Sequence, residues 1–254
     1  ILLVIGLLIV IGGIGFNVIL DVLHNGLDFK KYSLHSKIVL TTTILMLSIT
    51  SILIFAMEFS NPGTIGNLGF IDKISNSIFQ AITLRTAGFA SINQSKLLDS
   101  SSVLSILNMF IGGSPAGTAG GIKTTTFALL IIVALSEIKG QEDVEVFNRR
   151  IRFSQVKKAL GIITLSMVWV IFVTFAILVI DKAKYLDVVF EVVSAFGTVG
   201  LTRSLTPGIN SISKILIIST MYIGRVGSLT ILYALSNTKN KKAYKEAHEN
   251  IIIG

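Results

Sequence analysis

The chain has 254 residues, of which 52% are hydrophobic and only 14% are charged, and its mean hydropathy is +0.78. This composition excludes an ordinary soluble domain and places the chain in a lipid bilayer. The lack of cysteine excludes disulfides and thiolate metal sites. The net charge of +8 fits basic cytoplasmic loops better than a nucleic-acid interface.

Five apolar segments are long enough to cross a bilayer, at about 20 residues per helix. In chain order they cover residues 1–20, 38–57, 103–135, 159–180 and 212–235. The first lacks the basic region and cleavage site of a signal peptide. It is therefore expected to be a transmembrane helix, and the chain to be the C-terminal part of a longer polypeptide.

The third segment is longer than one crossing and is interrupted by the glycine-rich residues 112–121. Glycine and proline oppose a continuous helix there, so a broken helix is predicted. Lysine and arginine are concentrated in residues 30–37, 139–158 and 239–245. The positive-inside rule predicts that these lie in the cytoplasm, with the C-terminus inside the cell.

A Thr-x-Gly pattern occurs twice between spans, at residues 86–88 and 198–200. Each copy follows a helical segment too short to cross the membrane and a hydroxyl residue, Thr83 or Ser194. The two threonines are 198 − 86 = 112 positions apart, so a unit of span, short helix, Thr-x-Gly and span is repeated. Rings of such carbonyls can replace the water around K⁺, and the C-terminal end of a re-entrant helix favours a cation. The alternative interpretation is two ordinary tight turns.

Longer motifs surround these triplets. They are FQAITLRTAGF at residues 79–89, FEVVSAFGTVGL at 190–201, GGSPAGTAGGIKTTT at 112–126, YIGRVG at 222–227 and GGIGF at 12–16. Together they resemble the Trk/Ktr/HKT superfamily of potassium transporters, and the short tail is most similar to KtrB-type membrane subunits. The resemblance covers essentially the whole chain.

The resemblance implies an all-α multi-pass membrane fold, with M1–pore helix–M2 repeats in pseudo-fourfold symmetry around an ion pore. Residues 1–37 would be the inner helix of the second repeat and a cytoplasmic loop. Residues 38–152 would be the third repeat, with filter segment three at 85–89. Residues 153–254 would be the fourth repeat, with filter segment four at 197–201, and a cytoplasmic tail.

The same resemblance implies the site residues. The transported K⁺ would bind backbone carbonyls of Thr86, Ala87, Gly88, Thr198, Val199 and Gly200. Residues 112–121, called here the gate loop, would block the pore below the filter. The gate set is Gly112, Gly113, Ser114, Pro115, Ala116, Gly117, Thr118, Ala119, Gly120, Gly121 and Arg225.

Three charged residues are predicted at membrane depth. Arg225 and Lys123 are expected to be buried, and Arg225 to lie by the gate loop. Arg225 is either an electrostatic barrier to K⁺ or a structural counter-charge between helices. Arg85, at the filter edge, is expected to bond carbonyls behind the filter.

The function implied is that of a K⁺-translocating subunit of an uptake system, and the Ktr likeness implies Na⁺ dependence. Its partners would be membrane lipid, a second pore subunit in a homodimer, and KtrA-like nucleotide-binding regulatory subunits docked on residues 142–158 and the tail from 237. No enzyme activity, organic cofactor or nucleic-acid partner is expected. The alternative is an unregulated monovalent cation channel. A P-loop at residues 117–124 is rejected because Ile122 separates the last glycine from Lys123.

Overall fold

The computed structural model describes residues 1–141 and 143–227. The helices, in chain order, are α1 (Leu2–Ile14), α2 (Phe16–Asn25), α3 (Leu34–Glu58), α4 (Phe70–Thr83), α5 (Asp99–Phe110), α6 (Thr124–Ile138), α7 (Phe153–Asp181), α8 (Tyr185–Phe196) and α9 (Ser211–Val226). Two short strands, β1 (Glu145–Val146) and β2 (Arg149–Arg150), form an antiparallel hairpin in the basic loop before α7. The basic segment 239–245 and the tail from 237 lie outside the described residues.

The long helices match the predicted spans. By length and composition α3 and α7 can each cross a membrane, and α1 with α2 can form a third, bent span. Large apolar side chains on α3 and α7 point outward: Ile52 is 66% exposed and Phe175 is 67% exposed. Such exposure suits a lipid-facing surface and would be a liability in water. The prediction of an all-helical membrane fold is confirmed.

Two inner helices depart from straight spans. The third predicted span is divided into α5 and α6 by residues 111–123, close to the predicted break. The first predicted span, residues 1–20, is divided into α1 and α2, which meet at an angle of 98°. The bend is at Gly15, whose φ is +93°, and a Cβ there would overlap the carbonyl oxygen of Pro115. A tertiary contact with the gate loop therefore fixes the bend, and glycine alone avoids the clash.

The short helices α4 and α8 occupy equivalent places. Each has an aspartate in its first turn, Asp72 or Asp187, where a negative charge favours the helix dipole. Helix α4 packs against α1 and α3, and α8 packs against α5, α7 and α9. Each short helix therefore contacts the inner helix of the repeat before it, α1 or α5. This pattern is expected of repeats arranged around an axis.

A carboxylate at the end of each outer helix joins it to the inner helix of the same repeat. Glu58, fully buried, accepts a hydrogen bond from the backbone N–H of Leu98 at 3.0 Å. Asp181 accepts one from the backbone N–H of Asn210 at 2.7 Å. Leu98 and Asn210 are the N-cap residues of α5 and α9, whose first N–H groups have no partner within the helix. The two repeats therefore share equivalent hydrogen bonds as well as the same order of helices.

Candidate functional site

The two filter segments share an unusual backbone. Thr86 and Thr198 have left-handed φ values of +65° and +52°, and Gly88 and Gly200 have φ values of +75° and +89°. The residue between each pair has a negative φ, and this alternation lets successive carbonyls turn toward one side of the chain. A β-branched residue in the left-handed region is strained by about 1–3 kcal/mol and persists only where its surroundings enforce it.

A hydroxyl group closes each filter segment from behind. Thr83 Oγ1 donates a 2.7 Å hydrogen bond to the carbonyl of Phe89, and Ser194 Oγ donates a 2.6 Å bond to the carbonyl of Leu201. Both donors lie in the last turn of a short helix, and both acceptors directly follow the filter glycine. The bond therefore ties the outer end of each segment to its helix. The sequence shows the two hydroxyls but not their acceptors.

Buried polar side chains brace the chain that leaves each filter. Gln80 on α4 exchanges two side-chain hydrogen bonds with Gln94, at 2.8 and 3.1 Å. At the corresponding place on α8, Glu191 accepts bonds from the Thr202 hydroxyl and from the backbone N–H of Leu205, the latter at 3.2 Å. These contacts hold the chain that follows each filter segment against the short helix that precedes it.

The filter segments lie close to each other. A Cβ built on Gly88 would overlap the carbonyl oxygen of Val199, whereas one on Gly200 would meet nothing within 4 Å. The backbone of segment three therefore lies directly against that of segment four. Thr86 and Thr198 also both approach the gate loop, as the next contacts show.

The gate loop is closed on itself at its base. Ile111 and Ile122 form a parallel bridge, with Gly112 N–H donating to the Ile122 carbonyl at 2.8 Å and Ile122 N–H donating to Phe110 at 3.2 Å. The hydroxyls of Ser114 and Thr124 also lie 3.1 Å apart, within hydrogen-bonding distance. These bonds satisfy backbone groups that a broken helix would expose at membrane depth.

The top of the loop lies under both filter segments. A Cβ on Gly120 would overlap Thr198 Oγ1. One on Gly112 would overlap the Gly120 carbonyl and lie 3.5 Å from the Thr86 Cγ2 methyl. Gly120 therefore allows the loop to approach segment four more closely than any side chain would permit, whereas Gly112 allows the loop to pack against itself.

The inner helices of the neighbouring repeats hold the loop from two sides. On one side Ser114 N–H donates to the Gly13 carbonyl at 3.0 Å, and Phe16 N–H donates to Ala116 at 3.2 Å. On the other side Gly121 N–H donates to the Gly224 carbonyl at 3.1 Å. The loop is thus hydrogen-bonded to both α1–α2 and α9.

The two helices that hold the loop end in the same way. Helix α1 ends at Gly15 with φ 93° and ψ 144°, and α9 ends at Gly227 with φ 95° and ψ 129°. In the sequence, residues 12–15 (GGIG) match residues 224–227 (GRVG), so Arg225 stands where α1 has Gly13. The sequence alone shows this match, because each segment has glycine at its first and fourth positions.

Two cations bind adjacent carbonyls of the loop. Arg225 Nη1 donates to the Thr118 carbonyl, and Lys123 Nζ donates to the Ala119 carbonyl. Lys123 is half-buried, but Arg225 is exposed and lies in the last turn of α9, so the prediction that it is buried is wrong. Its place beside the loop agrees with the expectation. Two positive charges therefore converge at the loop beneath the filters.

Arg85 contradicts its predicted role. Its side chain is 8% exposed, and its Nε and Nη2 atoms are buried without a hydrogen-bond partner among the described residues. The expected bonds to carbonyls behind the filter are absent from this part of the chain. Local sequence could not reveal this, because the cavity that Arg85 lines is formed partly by the distant helix α1.

Comparison with known proteins identifies relatives of this chain. Residues 1–245 match the family model of TrkH, described as a cation transport protein. Ktr system potassium uptake protein B of Bacillus subtilis (strain 168) is 42% identical over 93% of this chain and 53% of its own length. The potassium/sodium uptake protein NtpJ of Enterococcus hirae is 39% identical over 100% of this chain and 57% of its own length. The chain therefore spans about half the length of these relatives.

A solved structure supports the fold independently. The crystal structure of the potassium transporter TrkH from Vibrio parahaemolyticus superposes with a TM-score of 0.79 at 19% identity, covering 93% of this chain and 52% of that protein. At this identity the likeness establishes the fold alone.

Proposed function

Since the chain belongs to the TrkH family of cation transport proteins, we propose that it is the filter- and gate-bearing portion of a membrane subunit that takes up potassium. The printed names of its relatives in Bacillus subtilis and Enterococcus hirae describe potassium and potassium/sodium uptake. Potassium is then the transported ion rather than a resident cofactor.

The single observation that carries the proposal is the pair of left-handed threonines. Thr86 and Thr198 have the same unfavourable φ at matched positions of two repeats, and both face the gate loop. An ordinary turn would use glycine or asparagine there. Strain repeated in both copies is expected where carbonyls must be held in a set orientation to replace the water shell of an ion.

In this proposal residues 112–121 obstruct the path below the filter. The loop lies under both threonines, and the Lys123 and Arg225 side chains add positive charge at that level. At about 6 Å, two unit charges interact by about 3 kcal/mol at an effective dielectric of about 20. A cation leaving the filter would therefore meet both a steric and an electrostatic barrier.

The topology and partners follow the same proposal. Residues 1–37, 38–152 and 153–254 form the end of the second repeat and the third and fourth repeats, and the basic segments face the cytoplasm. A relative is named as part of a Ktr system, which supports additional subunits. We propose a homodimer on nucleotide-binding regulatory subunits, docked partly on the β1–β2 hairpin.

The test uses the complete polypeptide that carries this chain. It is expressed in a bacterium lacking potassium uptake, and growth at low K⁺ and ⁸⁶Rb⁺ uptake are measured with and without the regulatory subunits. Growth rescue with a preference for K⁺ over Na⁺ is the expected result. Uptake that is equal with and without cytoplasmic partners would instead favour an unregulated channel, and no uptake by the folded protein would refute the proposal.

A further inference from the structure

Arg85 is the buried charge that the proposed filter and gate do not use. It directly precedes Thr86, and two of its three guanidinium nitrogens are buried with no hydrogen-bond partner among the described residues. An arginine keeps its charge in a protein, and at membrane depth such a group normally serves a function or meets a partner. The question is what this charge acts on.

Arg85 lines a cavity in which the described residues supply no counter-charge. Its side chain lines a cavity of about 480 Å³ together with Gly12, Thr86, Ala87 and Thr118. The other lining residues are apolar, and none of the residues around this cavity is acidic. The cavity therefore extends from filter segment three to the gate loop, with one positive charge in its wall.

The corresponding place in segment four carries no charge. Gly197 directly precedes Thr198, and a Cβ there would overlap the carbonyl oxygen of Met109. Packing against α5 thus excludes any side chain at this position. Of the two filter segments described, only segment three has a charged residue directly before its threonine.

We propose that Arg85 sets the affinity of the filter for its ion, an inference that rests on the proposed potassium uptake. Its charge weakens cation binding at segment three, so an ion bound there is released more easily toward the gate loop. Conduction needs binding that is strong enough for entry and weak enough for exit. Arg85 makes binding weak enough for the ion to leave, without contacting the ion.

The test measures equilibrium binding of K⁺ and of Ba²⁺, a divalent ion of similar size, to the purified complete protein and to Arg85→Gln and Arg85→Lys variants. Arg85→Gln is expected to tighten K⁺ binding about tenfold, which is about 1.4 kcal/mol. Because Coulomb energy scales with the charge of the ion, Ba²⁺ binding should tighten by about the square of that factor. Arg85→Lys keeps the charge and should stay within about twofold of the wild type.

Lys96→Gln is the matched control, because Lys96 is an exposed cation of the same repeat whose charge is screened by water. It should change neither affinity. The inference is refuted if Arg85→Gln changes the K⁺ and Ba²⁺ affinities by equal factors, or if folded Arg85→Gln has unchanged affinity. It is also refuted if Arg85→Lys changes the affinities as much as Arg85→Gln does. If Arg85→Gln does not fold, a large affinity shift in Arg85→Lys refutes it. If the wild-type protein transports K⁺ but Arg85→Gln has the same ion affinities, the role of Arg85 is refuted and the proposed function stands. If the wild-type protein neither binds nor transports K⁺, the proposed function is refuted as well.

Discussion

The third and fourth repeats place the same backbone in different surroundings. Their filter threonines, hydroxyl clamps and capping carboxylates correspond one to one, yet segment three is crowded and has a charge beside it, whereas segment four is open beside its glycine. The inner helix of repeat three is broken by the gate loop, and that of repeat four runs unbroken through Val226. In the proposed function, the shared parts orient the filter carbonyls, and the differing parts control how an ion reaches and leaves them.

The largest expected effect comes from removing the gate loop of repeat three. Deleting residues 114–120 should raise ⁸⁶Rb⁺ flux about a hundredfold, because the chain that obstructs the proposed path would be lost, although the charges of Lys123 and Arg225 would remain. Flux is measured in proteoliposomes per folded molecule. The K⁺/Na⁺ ratio serves as the control and should not change, since both filters remain. A folded deletion variant that conducts no faster than its parent would show that the loop is not the gate.

The next test compares the two filter glycines. Gly88→Ser and Gly200→Ser both place a side chain at a left-handed φ, which costs about 1–2 kcal/mol. Only at Gly88 would the new Cβ also overlap backbone, the Val199 carbonyl. Gly200→Ser should therefore reduce the K⁺/Na⁺ uptake ratio about tenfold in a folded protein. Gly88→Ser should lose more selectivity or yield, and equal effects would contradict the difference between the segments.

A smaller effect is expected at Arg225. Arg225→Ala removes one of two cations that bind the loop, and it should raise K⁺ influx by up to about tenfold because Lys123 remains. Lys214→Ala removes an exposed cation from the same helix and should leave influx unchanged. A loss of detergent-extracted yield with normal influx per molecule would assign Arg225 a structural role only.

The smallest effect is expected at the hydroxyl clamp. Ser194→Ala removes the hydrogen bond to the Leu201 carbonyl, worth about 1 kcal/mol, and should lower the K⁺/Na⁺ ratio about fivefold. Ser219→Ala is the control, since among the described residues that hydroxyl donates to the Ile215 carbonyl of its own helix. A normal ratio in Ser194→Ala would show that the clamp supports folding rather than selectivity.

Features set by local sequence were predicted well. The apolar length of α3 and α7, the glycine-rich break between α5 and α6 and the two Thr-x-Gly segments all depend on neighbouring residues. The repeat was visible because equivalent residues recur at a fixed distance. These properties survive in the structure because bilayer thickness and glycine flexibility act on short stretches of chain.

Features set by contacts between repeats were not predicted. The bend at Gly15 arises from the carbonyl of Pro115, a residue 100 positions away (115 − 15). The exposure of Arg225 follows from the end of α9 at Gly227, and the unpaired Arg85 faces a cavity formed partly by α1. Each of these features depends on which helices pack against one another, and a single sequence does not reveal that.

The hydrogen bonds from the gate loop to its neighbours have a thermodynamic consequence. Three backbone bonds, at Gly13, Phe16 and Gly224, must break together for the loop to leave the α1–α2 and α9 helices. At about 1 kcal/mol each they sum to about 3 kcal/mol, which corresponds to roughly one open molecule in a hundred at rest. In the proposed function, a regulator that binds the open state would have to supply at least that difference in affinity. The flux without the regulator and the binding free energy that the regulator must provide would then be two measures of one equilibrium.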